Sequence, residues 1–284
     1  MDIFSDILLT VDFDRTLTAP DSSIPQRNLE AIRYFIENGG AFTVNTGRSI
    51  PMANWFRDIV PVSAPLLLYN GSAAYDLATG KLTDYREIAL DAKAVIEDLQ
   101  GRFPELTVEL QGVNFHHIFR NDIGWEAYCE NNRCPWEYAD PANIPLPFLK
   151  LAIYGKFREN TVASMYSGPA EEVALVDAAV AYVENCYGQW VDVFRPCARI
   201  ADIHAKGCSK LSAARALQRK MKKKLLVCVG DAENDVAMLD GADYAFCPAD
   251  GTVAHRYETV CNCADGAVAD VIYKKIPEIL ALKP

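Results

Sequence analysis

The feature that most restricts the fold of this chain is a short apolar stretch that ends in two carboxylates. Residues 7–11 are apolar or β-branched, as is typical of a buried β-strand. Asp12 and Asp14 follow, and side chains two residues apart in a strand point to the same face unless a turn begins between them. Two acids placed together are unfavourable unless they share a cation or a proton.

The paired acids suit one particular chemistry. In an open α/β sheet, ligands bind in the crevice beyond the carboxyl ends of the strands, which is where Asp12 and Asp14 are predicted to lie. One carboxylate can attack phosphorus as a nucleophile, while the second handles the proton of the leaving group. If this stretch is considered by itself, two ordinary solvated loop acids remain the alternative.

Strands and helices are predicted to alternate near both ends of the chain. The predicted strands are 41–46, 66–69 and 225–229, the predicted helices are 25–38, 51–59, 209–221 and 268–282, and a hairpin is predicted over 73–88. Such alternation is typical of an α/β fold with a Rossmann-like parallel-sheet core.

The pattern changes between residues 90 and 197, where strands, helices and a Pro-rich passage at 135–147 are mixed. We therefore predict an inserted α+β cap domain at 90–197, and a core formed by 1–89 and 198–284. A helix is predicted near Trp125 to Asn131 within the insertion.

Two adjacent histidines, His116 and His117, stand out in the predicted insertion. Adjacent residues of a strand face opposite sides, so at most one of the two can face a binding site. A structural role is predicted for each of them. Contact of one histidine with a substrate is the alternative.

The composition excludes several classes of partner. The chain has 284 residues and a formal net charge of −10, and an acidic surface repels nucleic acid and anionic membranes. No apolar stretch is long enough for a signal peptide or a membrane-spanning helix, so a soluble cytoplasmic protein is expected. The nine cysteines lack the paired spacing of a zinc site and are expected to be reduced thiols.

Four short motifs lie at the ends of predicted strands or at the starts of predicted helices. They are Asp12-x-Asp14, Thr46-Gly47-Arg48, Lys210, and Gly230-Asp231-x-x-Asn234-Asp235. An aspartate that approaches a phosphate dianion needs cations, and Mg²⁺ prefers carboxylate and carbonyl oxygens. A lysine supplies further positive charge, while a hydroxyl and an amide at a helix N-terminus supply hydrogen-bond donors. The set therefore indicates phosphoryl transfer.

The four motifs resemble those of the haloacid dehalogenase (HAD) superfamily. The usual first motif, D-x-D-G-T-L, is similar to residues 12–17, with Arg15 in place of glycine. T-G-R is similar to residues 46–48, G-x-S-K to 207–210, and G-D-x-x-N-D-x-x-M-L to 230–239. The layout resembles the Cof-type sugar-phosphatase branch, which has a large C2-type cap between the second and third motifs. The resemblance covers the whole chain.

This resemblance implies a role for each motif residue. The catalytic residues are Asp12, as the nucleophile, and Asp14, as the general acid and then base. The phosphate- or substrate-binding residues are Thr46, Gly47, Arg48, Lys210 and Asn234. The Mg²⁺ ligands are Asp12, Asp14 through its carbonyl, and Asp231, together with Asp235, which either ligates the ion or supports its shell.

Three positions leave alternatives open. Lys206 is a rival for the role of the lysine, although the Ser-Lys match and the helix start favour Lys210. Asn234 either binds the phosphate or orients the lysine. Arg15 occupies a position where glycine permits unusual backbone angles, and it either points outward or reaches into the site as an extra phosphate ligand.

The activity implied by the resemblance is that of a Mg²⁺-dependent phosphomonoesterase. The substrate would be a small phosphorylated metabolite, first of all a sugar phosphate, hydrolysed through an aspartyl-phosphate intermediate. A hexose phosphomutase on the same fold and a non-enzymatic metabolite-binding regulator are the alternatives. A monomer or weak homodimer is expected, with no nucleic acid or membrane as a partner.

Overall fold

The computed structural model describes residues 2–119, 129–130, 132–144, 146–155 and 168–282. The helix predicted near Trp125 to Asn131 therefore lies outside the described residues, apart from residues 129 and 130. Within the described part of the chain, no helix is both long enough and apolar enough to span a bilayer.

The strands of the described residues are numbered in chain order. They are Ile7–Val11 (β1), Ala41–Val44 (β2), Leu66–Leu68 (β3), Ala73–Asp76 (β4), Lys81–Tyr85 (β5), Thr107–Gln111 (β6), His116–Ile118 (β7), Trp136–Tyr138 (β8), Lys150–Tyr154 (β9), Val191–Cys197 (β10), Ile200–Ala205 (β11), Leu225–Val229 (β12), Tyr244–Pro248 (β13) and Glu258–Val260 (β14).

The α-helices are numbered in the same way. They are Gln26–Glu37 (α1), Ile50–Ala53 (α2), Ala92–Arg102 (α3), Ala170–Tyr187 (α4), Lys210–Lys220 (α5), Val236–Asp240 (α6), Ala267–Asp270 (α7) and Ile276–Ala281 (α8). A π-helical turn at Val271–Lys275 joins α7 to α8, which together form the predicted closing helix. The helix predicted over 51–59 is shorter than expected, since α2 gives way to a 3₁₀ helix at Asn54–Asp58.

The chain divides into two compact units. The first comprises Met1–Gly47, Phe56–Asp84 and Ser209–Pro284, and the second comprises Arg48–Trp55 and Tyr85–Cys208. These boundaries differ from the predicted ones at 89/90 and 197/198. The second unit extends beyond residue 197 because β11 pairs antiparallel with both β9 and β10. Strand β11 therefore belongs to the sheet of the second unit. The assignment of α2 to the second unit was not predicted.

The first unit is built on a parallel sheet with the strand order β14-β13-β12-β1-β2. The chain runs outward from β1 to β2 on one side and from β12 to β14 on the other, so the strand order reverses between β1 and β12. Ligands of open α/β sheets bind beyond the carboxyl ends of the strands at such a point. Val11 pairs with Val229, so the two strands end side by side, one residue before Asp12 and two residues before Asp231.

Helices cover the sheet of the first unit. Side chains of α5 and α6 pack with Leu8 and Leu226, which are fully buried. Helix α1 packs against α7 and β2. Complete burial of one leucine side chain contributes about 1.5–3 kcal/mol. This packing fixes the strand ends and therefore the positions of the acids that follow them.

The second unit contains a six-stranded sheet in the order β10-β11-β9-β6-β7-β8, which is antiparallel except for the pair β7–β8. One face is apolar, and its residues Leu110 and Leu151 pack with side chains of α3 and α4. The opposite face carries polar side chains that are nevertheless buried, namely Thr107, Glu109, Gln111, His116, Lys150, Asp202 and His204. The parallel-sheet unit and this inserted mixed unit together confirm the predicted fold class.

A chain of buried polar contacts ties α2 to the sheet of the second unit. Ser49 caps the N-terminus of α2, and its Oγ lies 2.7 Å from Nε2 of His116. Nδ1 of His116 lies 2.6 Å from Glu109, which also accepts a hydrogen bond from the Tyr154 hydroxyl at 2.6 Å. These contacts give His116 a structural role, while His117 pairs with Glu137.

Ionisation strengthens this chain of contacts. Burial by itself would lower the pKa of His116, but the Glu109 carboxylate opposes it and the pKa rises to about 9. Burial would raise the pKa of Glu109, but His116 brings it below the ordinary value. The contribution of the histidine to stability is therefore complete below its ordinary pKa of 6.5 and is lost as the pH rises through 9. The contribution of the glutamate is lost as the pH falls through its lowered pKa.

We expect His116→Gln to reduce the free energy of unfolding at pH 6.5 by about 3–5 kcal/mol, because Glu109 would stay buried without its counter-charge. The reduction should shrink toward pH 9.5, where the wild-type histidine also loses its charge. Urea denaturation across this pH range measures both effects. His117→Gln is the matched control and should cost less than about 1 kcal/mol, because its partner Glu137 is 51% exposed. Equal losses for the two variants at every pH would contradict the assignment.

Candidate active site

The ends of β1 and β12 bring two of the predicted site residues together. Asp12 follows β1, and its backbone N–H donates to the carbonyl of Val229 at 2.9 Å. Asp231 lies two residues beyond the end of β12. Both carboxylates are buried, with 6% of Asp12 and 4% of Asp231 exposed. The sheet register therefore places two acids at the point where a ligand is expected to bind.

Lys210 joins this pair from the first turn of α5. Ser209 caps the helix, and its side chain accepts a hydrogen bond from the backbone N–H of Ser212. Nζ of Lys210 lies 2.5 Å from Oδ1 of Asp12 and 2.6 Å from Oδ1 of Asp235. The side-chain amide of Asn45 donates to the carbonyl of Lys210 at 2.9 Å and so holds the helix start.

The rival lysine is engaged elsewhere. Nζ of Lys206 forms an ion pair with Asp192 at 2.6 Å, and both residues belong to the second unit. Lys206 is also half exposed, whereas Lys210 is buried. Lys210 is therefore the lysine that the structure brings to the acids of the first unit.

Asp235 fixes the geometry of the fourth motif. One of its oxygens accepts from Lys210, and the other accepts the backbone N–H groups of Asp231 and Ala232 at 3.0 and 3.2 Å. A Cβ atom at Gly230 would lie 2.6 Å from Cβ of Asp235, so this close approach requires glycine. The engagement of both oxygens favours a supporting role for Asp235 over direct ligation of a metal.

Three buried carboxylates face one ammonium group in this cluster. Burial and the charges of Asp235 and Asp231 raise the pKa of Asp12 well above its ordinary range, although Lys210 acts to lower it. Burial and the charge of Asp235 raise the pKa of Asp231 to about 7. Burial acts to lower the pKa of Lys210, but Asp12 and Asp235 raise it. The cluster therefore has an excess of acid, which a divalent cation would neutralise.

The donor set fits Mg²⁺. Ligand oxygens of Asp12, Asp231 and Asp235 lie within 4.8 Å of one another, and an all-oxygen set of carboxylates is what a hard cation prefers. A second group of ligand atoms, in Glu109, His116 and Cys129, lies in the second unit, where the glutamate and the histidine neutralise each other.

The remaining residues of the first motif leave the sheet in a tight turn. Asp14 is exposed and does not share the buried position of Asp12. Thr16 is buried, and its hydroxyl donates to Oδ1 of Asp231 at 3.0 Å. Sequence reasoning gave Thr16 no role, although its place in the first motif was a signal that could have identified it. Thr252, which donates to the carbonyl of Asp231 at 3.1 Å, had no such signal.

The second motif is divided between the two units. Thr46 and Gly47 belong to the first unit, and Arg48 begins the segment of the second unit that contains α2. Thr46 is buried beyond the end of β2, and its backbone N–H donates to the carbonyl of Leu67 at 2.9 Å. Asn234 lies half-buried in the 3₁₀ turn at Glu233–Asp235, and its side chain makes no hydrogen bond with the described residues. Asp235 rather than Asn234 contacts Lys210.

Comparison with known families identifies the family of this chain. Residues 9–272 match the family model of the haloacid dehalogenase-like hydrolases. The chain belongs to this family. The resemblance of the four motifs to the HAD superfamily and its Cof-type branch is thereby confirmed.

Solved structures of HAD hydrolases share the fold over 94–97% of the chain. A HAD/COF-like hydrolase from Plasmodium vivax is 24% identical, covers 97% of each chain and gives a TM-score of 0.74. A haloacid dehalogenase-like hydrolase from B. subtilis is 16% identical, with 94% of this chain and 99% of that chain covered and a TM-score of 0.76. A phosphatase of the HAD superfamily from Bacteroides thetaiotaomicron is 16% identical, covers 97% and 95%, and gives a TM-score of 0.70.

Proposed function

We propose that this HAD hydrolase is a Mg²⁺-dependent phosphomonoesterase that acts on a small phosphorylated metabolite, first of all a sugar phosphate. The observation that carries the proposal is the buried contact of Asp12 with Lys210, beside Asp231 and Asp235, at the carboxyl ends of β1 and β12. Membership of a hydrolase family supports hydrolysis, and one structural neighbour is described as a phosphatase.

Asp12 is proposed as the nucleophile. Its carboxylate attacks the phosphorus atom, the P–O bond to the leaving group breaks, and an aspartyl-phosphate forms. Water then attacks this intermediate and releases inorganic phosphate and free Asp12. Lys210, which already contacts Asp12, is placed to offset charge on the phosphoryl oxygens. Thr46, Gly47, Arg48 and Asn234 are proposed to supply further contacts to the phosphoryl group or substrate.

Asp14 is proposed to act as the general acid and then as the general base. Because its side chain is exposed, the carboxyl group can donate a proton to the leaving-group oxygen and later accept one from the attacking water. Asp12, by contrast, is buried, and its Oδ1 accepts a hydrogen bond from Lys210. The two aspartates of the first motif thus differ in environment in the way that their proposed roles require.

Mg²⁺ is proposed to be held by Asp12 and Asp231, with the Asp14 carbonyl as a further ligand and Asp235 in support. When bound, the ion would offset the negative charge of the phosphoryl group and of the acid cluster. Thr16 keeps Oδ1 of Asp231 in place through its hydroxyl group.

Removal of the metal tests the proposal. Release of phosphate from an aryl phosphate and from a panel of sugar phosphates should stop in excess chelator and resume with Mg²⁺. Ca²⁺ should inhibit, because its larger and looser coordination shell would misplace the nucleophile. Asp231→Asn should remove both the activity and the increase in Tm that Mg²⁺ produces in the wild type. Full turnover in excess chelator would defeat the metal assignment, and isomerisation of a hexose phosphate without phosphate release would indicate a mutase.

The second unit is proposed to act as the cap that selects the substrate. It contains Tyr85–Cys208, which lie between the second and third motifs, where the Cof-type branch has its cap. We also propose that the protein acts in the cytoplasm as a monomer or weak homodimer, with no nucleic acid or membrane as a partner. Size-exclusion chromatography with light scattering would test its oligomeric state.

A further inference from the structure

Arg15 adopts a backbone conformation that L-residues rarely take. Its φ is 59° and its ψ is 11°, in the left-handed region, between Asp14 and Thr16 of the first motif. Glycine adopts such angles without a steric cost, and the first motif of the HAD superfamily usually has glycine at this position. Strained residues persist where their surroundings fix them, and they concentrate at functional sites. The fold therefore does not explain why an arginine, and not a glycine, occupies this position.

The turn itself does not depend on the arginine side chain. The backbone N–H of Arg15 donates to Oγ1 of Thr18 at 3.1 Å, and the Thr18 hydroxyl donates to the carbonyl of Phe13 at 3.2 Å. Any residue with a backbone N–H could make the first of these bonds. Among the described residues, the exposed guanidinium group of Arg15 makes no hydrogen bond or ion pair. It is thus available to a ligand.

The charge of Arg15 nevertheless acts on the site. The turn that carries Arg15 lies beside the acid cluster, because the hydroxyl of the next residue, Thr16, donates to Oδ1 of Asp231 at 3.0 Å. The positive charge of Arg15 partly opposes the rise in the pKa of Asp231 that burial causes. Lys210, by contrast, is engaged with two carboxylates. The net charge of the chain is −10, so an arginine that pairs with none of the described residues and follows Asp14 directly would attract anions locally.

We propose that Arg15 binds a second anionic group of the substrate, a carboxylate or a second phosphate, on the leaving-group side of the scissile bond. This inference rests on the proposed phosphatase function and names its substrate class as phosphomonoesters that carry another negative charge. The adjacent residue, Asp14, is the one proposed to protonate the leaving-group oxygen. Arginine presents a planar set of donors that matches carboxylate and phosphate oxygens in pairs.

Matched substrates test the proposal. 2-Phosphoglycolate and 2-hydroxyethyl phosphate differ by a carboxylate, and glucose 1,6-bisphosphate and glucose 6-phosphate differ by a second phosphate. The wild type should favour the charged member of at least one pair by about 10-fold or more in kcat/KM, as expected for a charge-assisted contact. Arg15→Gln and Arg15→Gly should reduce this ratio toward 1, mainly through a higher KM for the charged member. Arg15→Lys should be intermediate, and added salt should reduce the wild-type ratio.

The two substitutions separate charge from backbone strain. Gln removes the charge but keeps a side chain at the left-handed position, whereas Gly removes both. Lys222→Gly is the control, because Lys222 has a φ of 54° and lies beyond the C-terminal end of α5, a helix of roughly 16 Å that begins at Lys210. It should retain the wild-type ratio.

The outcomes separate the two proposals. A wild type that hydrolyses both members of each pair equally well, or an Arg15→Gln variant with an unchanged ratio, would overturn the role of Arg15 alone. Loss of the ratio in Arg15→Gly but not in Arg15→Gln would assign the effect to the backbone and also reject the contact. Absence of hydrolysis of any phosphomonoester by the wild type with Mg²⁺ would instead refute the proposed function, and the inference with it.

Discussion

Replacement of Asp12 by Asn is expected to abolish turnover, with a loss in kcat of roughly 10⁵-fold or more, the scale seen when a nucleophile is removed. An amide cannot attack phosphorus to form an acyl phosphate, and the contact of 2.5 Å with Lys210 Nζ would lose the negative charge of the carboxylate. Phosphate release from an aryl phosphate in the presence of Mg²⁺ measures the loss.

Rapid acid quench with a ³²P-labelled substrate makes the result specific to the nucleophile. Wild-type protein should carry acid-stable, hydroxylamine-sensitive label, and Asp12→Asn should carry none. Asp14→Asn is the matched control, because it removes an aspartate two residues away whose side chain is exposed. Its loss on alkyl phosphates should be about 10²-fold, the usual scale of general acid catalysis. It should still become labelled by substrates with good leaving groups. Labelling of the Asp12→Asn protein would place the nucleophile at another residue.

The residues around Asp12 show which parts of the candidate site could be predicted from the sequence. Asp12 and Asp231 could be placed together because each follows an apolar strand of a predicted parallel sheet, and parallel strands end at a common edge. Lys210 lies 198 residues from Asp12, and no local spacing rule connects such positions. Its selection depended on the match to a family motif and on the start of a helix. The same match left Asn234 either as a phosphate ligand or as a partner that orients Lys210, whereas in the structure Asp235 makes the contact with Lys210.

Contacts without a local pattern could not be predicted. Ser49, His116 and Glu109 come from three separate segments, and neither the histidine pair nor the serine has a sequence context that points to the others. Glutamate in a strand is ordinarily assigned to solvent, yet Glu109 is fully buried because three neighbours satisfy its oxygens. The same contacts explain why α2 belongs to the second unit. A change of pattern along the chain locates an insertion only approximately, whereas hydrogen bonds define its limits.

Replacement of Lys210 by Met should damage both activity and folding. Met approximates the stem of lysine but has no charge, so Asp12 and Asp235 would remain buried without a counter-charge, which costs about 3–5 kcal/mol. The pKa of Asp12, already raised by burial, should rise further, which lowers the fraction of the nucleophilic carboxylate form. We therefore expect a loss in kcat/KM of roughly 10³-fold or more, on the scale of a lost charge contact in phosphoryl transfer.

Two further variants decide whether charge is the cause. Lys210→Met combined with Asp235→Asn removes one of the stranded charges and should recover part of the unfolding free energy without restoring activity, which a double-mutant cycle in urea would measure. Lys206→Met removes the rival lysine, whose exposed ion pair with Asp192 should be worth less than about 1 kcal/mol, and should leave phosphate release nearly unchanged. The opposite ranking of Lys206→Met and Lys210→Met would transfer the catalytic role to Lys206. Equal stability of Lys210→Met and the wild type in the absence of Mg²⁺ would show that the three acids share a proton and do not depend on the ammonium group for their burial.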